Sequence, residues 1–402
     1  MSNLFAQVAL APRDPILGLT EQFNTDTRPN KINLGVGVYY DDEGRIPLLR
    51  CVHQVEMARV QAQLAHGYLP IEGLASLNQG VQKLLLGADH PALAQSCAVT
   101  VQSIGGTGAL KIGADFLATL KPGAKVAISN PSWENHRALF EAAGFEVVEY
   151  PYYDPNTRGL DIEGMLKALR ELPDQSIVIL HACCHNPTGV DPTTDQWALI
   201  ADICKEKQLI PFMDIAYQGF GTGLQEDAHA VRLFVEKGLN CFVSTSFSKS
   251  FSLYGERIGA LTILTESEQE AKRVLSQVKR VIRTNYSNPP TFGAAVVGEV
   301  LNSPELFAMW DEELGQMRER IKLMRSSLVE KLAENGIDQD FSFVLRQNGM
   351  FSFSGLTADQ VDQLREEHAI YALSTGRICV AALNSRNIDI VSDAIAQVLK
   401  AQ

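Results

Sequence analysis

The sequence predicts an α/β protein: a large domain built on a mostly parallel sheet sandwiched by helices, followed by a smaller unit. Three observations carry this reading. Short apolar runs of strand length alternate with longer amphipathic patterns through most of the 402 residues, which implies crossover connections and buried parallel strands. After residue 305 that rhythm gives way to one long run of apolar residues in steps of three and four. A composition of 46% hydrophobic and 20% charged residues supplies the core for two or three domains and carries no signature of disorder.

Taken in order, the chain opens with Leu4, Phe5, Val8 and Leu10 ahead of Pro12, without an element of their own to bury them. This arm, residues 1–13, can fold back on its own domain or grip a second subunit; we read it as a contact with a partner, since exposed apolar patches mark contacts. Strands are expected at 99–103, 126–129, 177–181, 210–213 and 242–245, each followed by polar or Gly-containing punctuation, with an amphipathic helix at 197–207 among them. These elements place the large domain at 45–305. From Leu306 onward, Trp310, Leu314, Met317, Ile321, Met324, Leu328 and Leu332 lie on one helical face. A helix of this length, ending near Gly336, is a spine leading to a C-terminal unit with strands near Phe351 and Ile378.

Charge and cysteine usage exclude several classes. A net charge of −12 argues against a nucleic-acid partner, whose phosphates are bound by clustered Lys and Arg, and against docking on acidic membranes. No apolar run approaches the roughly 20 residues that span a bilayer, and the N-terminus has neither a basic n-region nor an apolar h-region, so no signal peptide is expected. Seven scattered cysteines without a CxxC pair suit reduced thiols in a cytoplasmic protein.

Four stretches offer chemistry. Ile104-Gly105-Gly106-Thr107-Gly108 marks a strand giving way to a helix, where free N–H groups and the positive end of the helix dipole suit a phosphate; a plain tight turn is the alternative. In a strand, His181, Cys183 and His185 would share one face and invite a zinc reading. No second ligand pair follows, so a buried strand running into an Asn186-Pro187-Thr188-Gly189 turn is preferred and no metal is expected. Asn186, and then Asp214 with Tyr217, fall just past strand ends, where open α/β sheets bind ligands; Asp214 would otherwise be a helix cap or turn former. Lys249 follows a buried strand among Ser246, Ser248, Ser250 and aromatics, where desolvation favours the neutral amine that a Schiff base needs. Arg257 carries a planar fork matched to phosphate, or alternatively pairs with Glu256 at the surface.

The order of these motifs resembles one family. Gly105-Gly106-Thr107-Gly108, Asn130-Pro131-Ser132-Trp133, His185-Asn186-Pro187-Thr188-Gly189, Asp214-Ile215-Ala216-Tyr217, Ser246-Phe247-Ser248-Lys249 and Gly255-Glu256-Arg257 are similar to the aspartate/aromatic aminotransferases. These form class I of the fold-type I pyridoxal-phosphate enzymes. Arg283-Thr284-Asn285-Tyr286-Ser287-Asn288-Pro289-Pro290 and Thr375-Gly376-Arg377 extend the match over essentially the whole chain.

The resemblance implies a seven-stranded sheet in the large domain and a smaller α+β domain made of 14–44 and 306–402. It also implies pyridoxal 5′-phosphate held by Lys249, with Asp214 on the pyridinium nitrogen and His136 behind Asp214. Tyr217 and Asn186 would lie at the ring's phenolic oxygen and Trp133 on its face. Gly106, Thr107, Ser246 and Arg257 would hold the phosphate, with Tyr68 reaching it from the other subunit. Arg377 would take the substrate α-carboxylate, Gly37 would lie beside the substrate, and Arg283 of the partner subunit would take a distal carboxylate. A homodimer with shared sites follows, running ping-pong transfer between amino acids and 2-oxo acids.

Tyr39-Tyr40, Ile46, Tyr68-Leu69-Pro70 and Asp214-Ile215-Ala216-Tyr217-Gln218-Gly219-Phe220 look most like the aromatic branch, with Tyr40 and Ile46 offering apolar pocket surface. Thr107 and Asn288 look like the aspartate branch; Gly67 fits neither, and Thr375 stands where serine is commoner. The expected activity is transamination of tyrosine and phenylalanine, or aspartate, with 2-oxoglutarate; a strict aspartate aminotransferase is the alternative.

Overall fold

A computed structural model describes residues 4–11 and 15–401. Its centre is a seven-stranded sheet formed by β1 (Ala98–Ile104), β2 (Lys125–Asn130), β3 (Glu146–Pro151), β4 (Ile177–His181), β5 (Ile210–Ile215), β6 (Phe242–Ser246) and β7 (Ile258–Leu264). Across the sheet the order is β1-β7-β6-β5-β4-β2-β3, and β7 alone runs antiparallel to its neighbours. The expected strands are present, each within a few residues of its expected ends. β3 and β7 are additional: β3 is an edge strand whose Glu146-Val147-Val148-Glu149 does not alternate, and β7 carries Gly259, Ala260 and Thr262 within a run buried on both faces, which breaks up its apolar signal.

Burial on both faces explains the apolar runs. In β4, Ile177 and Ile179 pack with Phe140, Phe212 and the helix Gly105–Leu120 on one side. Val178 and Leu180 pack with Met165, Trp197 and Phe234 on the other, as successive side chains on a strand must. The helix expected at 197–207 begins earlier, at Thr194, because Thr193 and Gln196 form a capping box.

The long helix is Pro304–Glu334, capped by Ser303, and it buries the expected stripe from Leu306 to Leu332. It also steadies the lysine-bearing turn: Trp310 Nε1 donates to the Ser250 carbonyl (2.7 Å) and its ring stacks on Phe251 at 4.4 Å. Beyond it, Phe351–Phe353 pairs antiparallel with Arg377–Cys379. Ile32–Asn33 lies parallel to Ile370–Tyr371, so an early segment is joined to the C-terminal one. Of the 1–13 arm, residues 1–3 and 12–13 lie outside the described residues. Within the rest, Leu4, Phe5, Val8 and Leu10 are all strongly exposed. All seven cysteines are free and buried. Among the described residues no helix is long and apolar enough to cross a membrane.

Candidate active site

The parallel strands end together, with His181 in register with Asp214 and Asp214 with Ser244. Their carboxyl ends open into a cavity of about 260 Å³, open to solvent. Gly106 and Thr107 line it from the first turn after β1, Trp133 from the turn after β2, and Asn186 from the turn after β4. Asp214 reaches it from β5 and Tyr217 from the turn that follows, and Ser246, Lys249 and Arg257 from β6 and the turn after it. Gly37, Phe351 and Arg377 close it from the segments flanking the sheet.

Asp214 is the most constrained group. Its Oδ2 stands 3.0 Å from His136 Nε2, while its Oδ1 is buried and without a protein partner. From His136 a chain of hydrogen bonds continues through Ser132 Oγ (3.0 Å) to His181 Nε2 (3.3 Å), whose Nδ1 accepts from the Asn186 amide (3.2 Å). Burial raises the Asp214 pKa, but the His136 hydrogen bond and neighbouring cationic charge outweigh it and hold the carboxyl below its usual range. Opposite, the Lys249 ammonium lies 5.0 Å from the Tyr217 ring centroid. Desolvation lowers its pKa to about 8, with Asp214 opposing and Arg257 assisting. Burial pushes the Tyr217 phenol upward, so it stays protonated.

The glycine turn is shaped for a close approach. Gly105 has φ +66°, and a Cβ there would meet the Arg257 guanidinium at 2.6 Å. A Cβ on Gly106 would lie 3.1 Å from Ser246 Cβ. Arg257 donates to Ser248 Oγ (3.3 Å) and to the Tyr254 carbonyl (3.1 Å). Among the described residues no ion pair joins it to Glu256, so the surface-pair alternative is not the one adopted. Arg377 is 1% exposed and donates to Asn186 Oδ1 (3.2 Å) and to the Gly35 carbonyl. Its guanidinium lies over the Phe351 ring at 4.2 Å, and its Nε is buried without a partner.

Some expectations fall elsewhere. Tyr68 and Arg283, expected at the site of the other subunit, are exposed here, Tyr68 at 98% and Arg283 with a bond to Ser287 Oγ, and neither lines this chain's cavity. Tyr40 does not line it either: its amide bonds the Ala381 carbonyl and its ring packs on the core, while Ile46 is largely solvent-facing. The shared face of His181, Cys183 and His185 is not formed, because β4 ends at His181 and Cys184 turns the chain with φ +51°. Both ring nitrogens of each histidine are already engaged, those of His185 by Ser129 and Thr188. Cys183, Cys184 and Asp227 do gather within 4.8 Å, but the Asp227 carboxylate accepts from the amides of Gly219, Gly221 and Thr222. Sequence reasoning gave no role to Tyr254 or Phe351, which line the cavity. The usable signal for Phe351 is register, since its strand pairs with the one that carries Arg377.

A ligand-sized cavity at the carboxyl ends of a parallel sheet, holding a desolvated lysine and a carboxylate with one oxygen left unpaired, is the site of a group-transfer enzyme. Residues 29–395 match the family model described as aminotransferase class I and II, and the chain belongs to that family: it is an aminotransferase. It is 65% identical to the aspartate aminotransferase of Pseudomonas aeruginosa over 99% of this chain and 100% of that one. To the aromatic-amino-acid aminotransferase of Escherichia coli it is 50% identical, over 98% and 100% respectively. Among solved structures, the aromatic-amino-acid aminotransferase of Burkholderia pseudomallei, covalently bound to pyridoxal phosphate, superposes with a TM-score of 0.97 at 65% identity. That match covers 99% of this chain and 100% of the other.

Proposed function

We propose that this aminotransferase moves amino groups between tyrosine, phenylalanine or aspartate and 2-oxoglutarate in a ping-pong cycle, with pyridoxal 5′-phosphate as its cofactor. The single observation that carries the reading is Asp214 Oδ1, a buried carboxylate oxygen with no protein partner, in the same cavity as Lys249. Such an orphan is costly unless a ligand completes it.

The residues present fit the cofactor. Asp214 Oδ1 would pair with the ring's cationic nitrogen, and the Lys249 amine would attach it as a Schiff base. The N-terminus of the helix Gly105–Leu120, with Thr107, Ser246 and Arg257, would hold the phosphate. When bound, the cofactor supplies an electron sink for the charge left as the substrate Cα–H bond breaks. Lys249 Nζ is the group that moves that proton, since a pKa lowered to about 8 leaves a usable fraction of neutral amine near neutral pH. Tyr217 and Asn186 would hold the ring's phenolic oxygen, and Trp133 would cover the ring. Arg377, whose Nε is free, would take the α-carboxylate as a bidentate pair, with Gly37 beside it.

Tyr68 and Arg283 serve, in this reading, the partner's cavity in a homodimer, Arg283 taking a distal carboxylate. Their exposure supports it, as do the exposed apolar side chains of Leu4, Val8 and Leu10. The division into 14–44 with 306–402 and 45–305 is supported by the pairing of Ile32–Asn33 with Ile370–Tyr371. Seven free cysteines favour a cytoplasmic location. A strict aspartate aminotransferase is the second reading, favoured by the name of the Pseudomonas aeruginosa relative and by Thr107 and Asn288. Comparing kcat/KM for phenylalanine, tyrosine and aspartate decides: negligible values for both aromatic donors would leave only the second.

A further inference from the structure

We propose that Tyr254 is a positioning residue for the substrate: its phenol latches the backbone strip 36–40 over the cavity and so sets the place of Gly37 beside Arg377. This rests on the reading of the cavity given above. One edge of the strip is tied to the segment that carries Arg377. Leu34 N donates to the Tyr371 carbonyl (2.7 Å), Cys379 N to the Leu34 carbonyl (2.7 Å) and Tyr40 N to the Ala381 carbonyl (3.1 Å). Arg377 itself donates to the Gly35 carbonyl. The Tyr39 amide turns the other way and donates to the Tyr254 hydroxyl at 2.8 Å.

Tyr254 belongs to the turn that follows β6, five residues after Lys249, and it lines the same cavity. Its carbonyl accepts from Arg257 (3.1 Å). One residue therefore touches the strip with its phenol and a proposed phosphate ligand with its backbone. In the bond to Tyr39 the hydroxyl is the acceptor, so its own proton remains to be donated, and burial keeps the phenol protonated. The strip has little freedom to drift without disturbing the site. A Cβ on Gly37 would stand 2.7 Å from Phe351 Cζ, and that ring lies under the Arg377 guanidinium. Releasing Tyr39 loosens the wall on which the substrate carboxylate rests while leaving Lys249 and Asp214 in place. The expected consequence is weaker substrate binding with little change in turnover.

The test is Tyr254→Phe in the pyridoxal-phosphate-loaded enzyme, which keeps the ring and removes the acceptor. The latch predicts a retained visible cofactor band, kcat within about twofold, and KM for the amino donor raised about 5- to 10-fold. It also predicts faster amide exchange in residues 36–40 against unchanged exchange in the sheet. Unaltered KM and exchange, or a lowered Tm alone, would overturn the latch and leave Tyr254 a packing residue. Exchange of the Tyr39 amide in the unmodified holoenzyme is an independent measure: protection supports the latch, and exchange at the rate of an open amide overturns it. Wild-type protein lacking the cofactor band or turnover would instead sink the reading of the cavity itself.

Discussion

Asp214 divides its two carboxylate oxygens between opposite surroundings: Oδ2 stands 3.0 Å from His136 Nε2, and Oδ1 is buried with no protein partner. The first bond fixes the orientation of the carboxylate and helps keep it ionised; the second oxygen is then aimed at whatever fills the cavity. Asp214→Ala is expected to lower kcat/KM by about 100- to 10,000-fold, since the charge balancing the cofactor ring is gone. His136→Ala leaves that charge in place and removes one hydrogen bond, so a loss of about 5- to 20-fold is expected. Steady-state kinetics on both variants decides, and equal losses would show that His136 does more than orient.

The Lys249 pKa of about 8 makes a prediction in the cofactor-free protein. The unfolded chain keeps this proton to about 10.5, whereas the folded chain sheds it near 8. Between those values the unfolded state binds more protons at this group, so the contribution of Lys249 to stability, read as the difference between wild type and a Lys249 variant, should rise with pH across that window. The difference is on the order of 2 kcal/mol after allowing for screening by cavity water. Lys249→Met should abolish that rise, raise stability at pH 7 and eliminate turnover. Urea titrations at pH 7 and pH 10 measure it; a variant with the wild-type pH slope would refute the assignment.

Much of this was readable in the sequence because burial and chemistry there leave local marks. β4 matches its expected span because four consecutive apolar residues, Ile177 to Leu180, bounded by polar and turn-forming residues admit few other structures. The helix Pro304–Glu334 was visible as a stripe because one face alone is buried. β7 was not, since Gly259, Ala260 and Thr262 interrupt its apolar run and weaken its propensity. At the site, groups at or just past the carboxyl ends of strands, such as Asp214 and Lys249, were legible from position. Tyr254 was not, because its partner Tyr39 lies 215 residues away in the chain. Tyr40 and Ile46 were placed at the pocket on likeness alone, and no local pattern records which way their side chains turn.

Arg377 is expected to govern every donor alike, because the α-carboxylate is common to all of them. Arg377→Ala should cost about 100-fold or more in kcat/KM for both phenylalanine and aspartate, as lost charge-assisted bidentate hydrogen bonds would. Arg283→Ala should weaken aspartate by about 10-fold or more and phenylalanine little. Parallel losses for the two donors in Arg283→Ala would contradict its assignment to the distal carboxylate.

Gly37 offers a steric probe. A methyl group there would sit 2.7 Å from Phe351 Cζ, so Gly37→Ala must displace the strip or the ring, at about 1–3 kcal/mol. A lowered Tm together with a raised KM is the expected pair. Wild-type values for both would mean that the strip accommodates the added carbon and does not set the cavity wall.

The most direct test of the account is an absorbance scan of the purified, pyridoxal-phosphate-loaded protein, before and after adding phenylalanine and then aspartate, with no oxo acid present. The account predicts a visible cofactor band that each donor converts to the near-ultraviolet pyridoxamine form, with 2-oxoglutarate restoring it. A protein that takes up no cofactor, or holds a band that neither donor bleaches, would contradict it.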